Sequence, residues 1–162
     1  MRLRPLNDDD RGLLREATIA NMNWDGPRFE PDRLDGMPEL THYFTSFDAR
    51  RDFGAAAVGD GGTAAEVLAV AWVVVLTADD PGYGFVADDV PELSITTFPG
   101  HRGRGFGTAV LDAVIDEARR RALRGISLSV EDGNRARHLY ERAGFRTVGR
   151  NGGSDTMLLT LA

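Results

Sequence analysis

The apolar positions of the chain fall into short runs whose period changes from two to nearly four and back again. After RLRP at 2–5, which reads as a short strand, Leu13, Leu14, Ala17 and Ala20 recur with the spacing of one helical face, and Asp8 to Asp10 stand where a helix cap belongs. Residues 21–45 lose this periodicity. Trp24, Pro27, Phe29, Pro31 and Pro38 are set among acids there, which predicts loops and short helices over a surface and no core element. FGAAAV and VLAVAWVVVL, joined by GDGGTAAE, have the form of an antiparallel hairpin. A long loop, TADDPGYGFVADDVP, leads to the strand ELSITTF at 92–98, and the stretch HRGRGFG, a helix near 106–122 and the strand ISLSV at 126–130 follow. Asp132 or Asn134 then caps a short helix carrying Ala136, Leu139, Tyr140 and Ala143, which stops at Gly144. Two closing strands, at about 145–150 and 156–161, flank the turn NGGSD.

This element order predicts an α+β fold: a mixed, mainly antiparallel sheet of about six to seven strands flanked by helices. A chain of 162 residues without internal repeats is expected to form a single domain over 1–162. The longest apolar run, at 67–76, is about half of what a membrane-spanning helix needs, so no membrane association is expected. The N-terminus turns acidic before a signal-peptide core could develop, which predicts a cytoplasmic protein. The absence of cysteine agrees with that compartment and removes thiolate nucleophiles and metal ligands.

All 19 basic side chains are arginine, which excludes a P-loop lysine and Schiff-base chemistry. A net charge of −6 argues against nucleic acid as a partner and for a cationic one. His42, His101 and His138 lack metal-ligand spacing and read as surface residues, so no metal is expected.

Chemistry concentrates in HRGRGFG at 101–107, where three glycines alternate just ahead of a helix. The unpaired first N–H groups of that helix and its dipole favour an anion, and Arg102 and Arg104 add full charges. A P-loop fails because Phe106 stands where lysine is required, and a dinucleotide fold fails because Thr108 replaces its third glycine and too little chain follows Glu131.

The segment Arg102-Gly103-Arg104-Gly105-Phe106-Gly107 resembles the R/Q-x-x-G-x-G/A motif of the GNAT superfamily of acetyl-CoA-dependent N-acetyltransferases, and ELSITTFPGH resembles the strand that leads into it. SVEDGNRARHLYERAGFRTVG resembles the second signature of that family, in the right order and at the right distance. Asn134 lies six residues before Tyr140 where many members have seven, and Thr97 replaces a commonly apolar residue. The resemblance covers about residues 92–150. It implies that the strands 92–98 and 126–130 run parallel and splay apart to hold coenzyme A.

On that basis the N–H groups of Gly103, Arg104, Gly105, Phe106, Gly107 and Thr108 would wrap the pyrophosphate, with Arg102 and Arg104 offsetting its charge, while the strand edge at Ile95, Thr96 and Thr97 would bond the pantetheine amides. Asn134 would touch the cofactor, cap its helix, or both. Tyr140 matches the family tyrosine that protonates the departing thiolate; as a residue of an apolar stripe it can also be a packing tyrosine. Glu92 is the candidate base, the alternatives being a solvated strand-end carboxylate or a substrate-binding anion. A strand bulge near Thr96 or Thr97 would free an N–H for the oxyanion.

Trp24, Phe29, Tyr83 and Phe85 would wall the acceptor pocket or simply anchor their loops. The expected activity is acetyl transfer from acetyl-CoA to a primary amine of a small molecule by direct attack, with a peptide or protein N-terminus and a noncatalytic acyl-CoA-binding domain as the alternatives. A homodimer is compatible with the sequence.

Overall fold

The structure is a computed structural model that describes residues 1–61 and 65–161. Its strands are β1 (Arg2–Pro5), β2 (Phe53–Val58), β3 (Val67–Val74), β4 (Glu92–Thr97), β5 (Gly125–Glu131), β6 (Arg146–Asn151) and β7 (Ser154–Thr160). The α-helices are α1 (Arg11–Met22), α2 (Pro31–Asp35), α3 (Pro38–Thr45), α4 (Phe106–Arg120) and α5 (Ala136–Ala143). All seven strands form one sheet in the order β1-β2-β3-β4-β5-β7-β6, antiparallel except where β4 meets β5. The expected hairpin of 53–58 and 67–76 is present as β2 and β3, although 62–64 in its connection lie outside the described residues.

The valine-rich β3 is buried on both faces, and its alternation divides the core in two. Ala69, Ala71 and Val73 join Val110, Leu111 and Val114 of α4 on one face, whereas Val70, Trp72 and Val74 join Leu14, Leu34, Leu40 and Phe47 on the other. Fully buried Trp72 donates its indole N–H to the carbonyl of Tyr43 at 2.8 Å and so ties α3 to the sheet.

Here the fold departs from the expectation for 21–45: Leu34, Leu40, Tyr43 and Phe44 are buried, so this segment is part of the core. Its apolar residues are too few per turn to announce a helix face, but Leu34, Leu40, Tyr43 and Phe44 join the cluster that holds Val70, Trp72 and Val74 of β3. The N-terminal cap also shifts. Asn7 accepts from the N–H of Asp9 at 2.8 Å, and Asp10 both closes the capping box onto Asn7 N–H and pairs with Arg4 at 2.8 Å.

His42 is not a surface residue; it is 5% exposed, with Nδ1 3.0 Å from Asp80. His101 is partly covered and lies 3.0 Å from Glu66, while His138 is exposed as expected. Among the described residues no helix is long and apolar enough to cross a membrane.

Candidate active site

The parallel ladder between β4 and β5 consists of the pair Glu92–Ser127, sealed by Ser127 N–H donating to Pro91 O at 3.1 Å. Beyond it the strands separate and a cleft of about 1140 Å³ opens. Pro91 O faces β5 and Phe98 N–H donates to Leu68 O on β3, so the alternation of an extended chain turns the main-chain groups of Leu93, Ile95 and Thr97 toward the gap. Beyond the Glu92–Ser127 pair, the Ile95 groups and the Thr97 N–H have no strand partner because β5 diverges. The anticipated bulge is absent, since β4 pairs with β3 without a register shift from Glu92 to Thr97. Thr96 turns its backbone toward β3 and its hydroxyl to Ala17 O at 3.0 Å and Asn21 Oδ1 at 2.5 Å, fastening α1 to the strand.

Past the strand, Gly103 (φ 74°) and Gly105 (φ 85°) take left-handed conformations, and Gly105 is the N-cap of α4. A Cβ at either would meet nothing within 4 Å, so glycine is needed there for its backbone angles, and the space outside the loop stays open. The first-turn N–H groups of Phe106, Gly107 and Thr108 have no acceptor inside the helix. Gly107 packs close to the strand, where a Cβ would come 3.0 Å from Thr97 Oγ1. Arg102 lines the cleft with its Nε 3.4 Å from Thr97 O, while exposed Arg104 lies over the Phe106 ring at 5.0 Å.

The period of two in ELSITT and ISLSVE gives the cleft walls of opposite character. Leu93, Ile95, Ile126, Leu128 and Val130 pack on the α4 and α5 face. Glu92, Ser94 and Thr96, opposite Ser127, Ser129 and Glu131, form a polar strip on the α1–α3 face. The two chemical candidates sit on opposite faces of the sheet. Tyr140 on α5 is 7% exposed, its ring centre 5.9 Å from that of Phe145. Burial pushes its phenol up, so it stays protonated. It lines the cleft, and no described residue hydrogen-bonds its hydroxyl. Asn134 lines the same cleft and accepts from Ala136 N–H at 3.0 Å, which opens α5; Asp132 pairs with Arg150 instead.

Glu92 is 3% exposed, and burial pushes its carboxyl up to about 7, against the opposing pull of the Tyr43 hydroxyl and the Gly84 N–H. Oε1 accepts from Gly84 N–H, while Oε2 has no partner of regular hydrogen-bond geometry and lies beside the Tyr43 hydroxyl. That hydroxyl in turn accepts from Tyr83 N–H at 2.9 Å.

Trp24, Phe29 and Tyr83 line the cleft on this face, but Phe85 does not. The loop after α1 reaches across the opening, and Arg28 grips Glu131 with both Nη atoms at 2.9 and 3.1 Å. Several acids of the 24–39 and 79–92 segments are engaged elsewhere: Asp35 with Arg15, Asp89 with Arg124, Asp80 with His42 and Asp88 with Ala78 N–H. Asp25, Glu92 and Glu131 are the acids that line the cleft. Ser94, Ser129, Glu131, Arg28 and Tyr43 went unnoticed as sequence candidates. The strand alternation signals the first three, whereas nothing local marks Arg28 or Tyr43.

The profile of the Acetyltransferase (GNAT) family matches residues 18–145. The chain belongs to this family. It resembles a GNAT-family acetyltransferase from Staphylococcus aureus Mu50 at 15% identity over 99% of both chains, with a TM-score of 0.72. It also resembles yncA from Salmonella typhimurium, solved with its cofactor acetyl-CoA, at 22% identity over 100% of this chain and 94% of that one (TM-score 0.68). These likenesses match the seven-stranded mixed sheet with its splayed β4–β5 pair. Among curated proteins, the [ribosomal protein bS18]-alanine N-acetyltransferase of Haemophilus influenzae is 33% identical over 63 residues, which is 39% of this chain and 43% of that one.

Proposed function

We propose that this acetyltransferase moves an acetyl group from acetyl-CoA to the primary amine of a small molecule by direct attack. The observation that carries the reading is the parting of β4 and β5, which frees main-chain groups in the gap with Glu92 on one face and Tyr140 on the other. The residues fit coenzyme A: open left-handed glycines and a helix N-terminus suit the pyrophosphate, and the β4 edge at Ile95 and Thr97, past the last pair with β5, suits the pantetheine amides. Acetyl-CoA supplies an activated thioester.

Glu92 receives the proton that the ammonium must lose before its nitrogen can attack, and a carboxyl held near 7 is suited to that transfer at neutral pH. A main-chain N–H of β4 facing the gap stabilises the negative charge that develops on the carbonyl oxygen. As the carbon–sulfur bond breaks, Tyr140 gives its proton to the thiolate.

The polar strip beside Glu92 makes the α1–α3 face the acceptor side. Asp25, which lines this side of the cleft, and the aromatic rings of Trp24 and Tyr83 favour a cationic amine. The relative from Haemophilus influenzae, named for a ribosomal-protein alanine, supports a peptide N-terminus as the second acceptor class. Release of free thiol from acetyl-CoA, followed over matched neutral, cationic and acidic amines and an alanine-initiated peptide, tests the reading. The small cationic amine should show the highest kcat/KM. A preference for the acidic amine removes the electrostatic assignment, and tight acetyl-CoA binding with no turnover on any amine indicates a noncatalytic binding domain.

A further inference from the structure

The loop joining β3 to β4 presses two glycines against the Glu92 carboxyl. A Cβ built on Gly82 would lie 2.0 Å from Oε2 and 2.7 Å from the Tyr43 hydroxyl. One built on Gly84 would lie 2.5 Å from Oε1 and 2.4 Å from the Leu128 carbonyl carbon. Neither glycine has a positive φ, so both are required for the absent side chain and not for their backbone angles. Between them, Tyr83 N–H is anchored on the Tyr43 hydroxyl, and the loop is pinned further by Asp80 on His42 at 3.0 Å and by Phe85 N–H on Gly82 O at 3.2 Å.

We propose that Gly82 and Gly84 are positioning residues that clamp the Glu92 carboxyl from the loop side: Gly84 holds one oxygen with its N–H, Gly82 closes on the other by having no side chain, and together they hold bulk water off the base. This rests on the reading of Glu92 as the base. Among the described residues the one titratable group facing the carboxyl is the Tyr43 phenol from α3; Ser127 stands opposite Glu92 on β5, and Glu39 bears on the Tyr83 phenol instead. The clamp ties the proton affinity of Glu92 to the loop that also carries Tyr83 into the cleft, and so couples base and acceptor pocket.

The added methyl of Gly82→Ala must displace either the loop or the carboxyl. A displacement of about 1 Å at a reacting group costs on the order of a hundredfold in rate. Gly82→Ala should therefore lower kcat by about that factor while leaving acetyl-CoA affinity unchanged. It should also move the infrared titration midpoint of the Glu92 carboxyl down toward the ordinary glutamate range, because water regains access.

A stability cycle tests the contact itself. The cost of Gly82→Ala should fall when Glu92→Ala removes the carboxyl and leaves only the Tyr43 hydroxyl to give way, and if Gly82→Ala alone does not fold, the double variant should. An equal cost in both backgrounds, or an unmoved carboxyl midpoint in folded Gly82→Ala, overturns the clamp. Retention of full kcat by Glu92→Gln overturns the base assignment and leaves the cycle to decide the clamp separately.

Discussion

Replacing Glu92 by glutamine removes one ionisation from the most protected carboxyl of the cleft with almost no change of shape, and the consequence is a pH-dependent gain in stability. In the unfolded chain this glutamate has its ordinary value of 4.5, while burial raises it to about 7 in the folded protein. The folded state therefore binds more protons than the unfolded state between those values, and stability falls as pH rises through that window. At about 1.4 kcal/mol per pH unit, the loss is about 3 kcal/mol by pH 8, a large part of the stability of a domain this size. Glutamine keeps an oxygen for the Gly84 N–H and carries no charge to desolvate.

Urea unfolding of both proteins at pH 4.5 and at pH 8 measures the effect. Relative to the wild type, Glu92→Gln should gain about 3 kcal/mol between the two pH values, with unchanged m-values. Parallel pH profiles would mean that the Glu92 carboxyl is not desolvated in the native state, and the argument that places its proton affinity near neutrality would fall. The same variant should lose most of its kcat, which opposes activity to stability at a single site.

Two further outcomes follow from the geometry. Tyr140→Phe keeps the ring that packs near Phe145 and removes the donor; kcat should fall about ten- to a thousandfold with acetyl-CoA affinity unchanged, and full turnover with chemistry rate-limiting would make Tyr140 a packing residue. Gly105→Val places a branched side chain at φ 85° on the N-cap of α4, so calorimetry should show weakened coenzyme A binding, and unchanged affinity in a folded variant would move the pyrophosphate away from this loop.

What the chain alone determined was local. The alternation in ELSITT and ISLSV, the helical stripe of 106–122 and the glycines before it each depend on neighbouring residues, because strand faces, helix faces and left-handed turns are properties of a few consecutive positions. The two signature blocks extended this to the family and to the parallel pair. Tertiary structure decided the rest. Leu40 and Phe44 form core because Trp72, some thirty residues later, receives α3 against the sheet. The donors of β4 are freed by divergence from β5 and not by a bulge, a distinction that exists only once both strands are placed.

Glu92 shows the division most plainly. As a letter in the sequence it is equally a solvated strand end or a base. Its environment is assembled by Tyr43, Gly82, Gly84 and Ser127 from three other elements of the chain, and it is the removal of water by those distant segments that sets how tightly the carboxyl holds its proton.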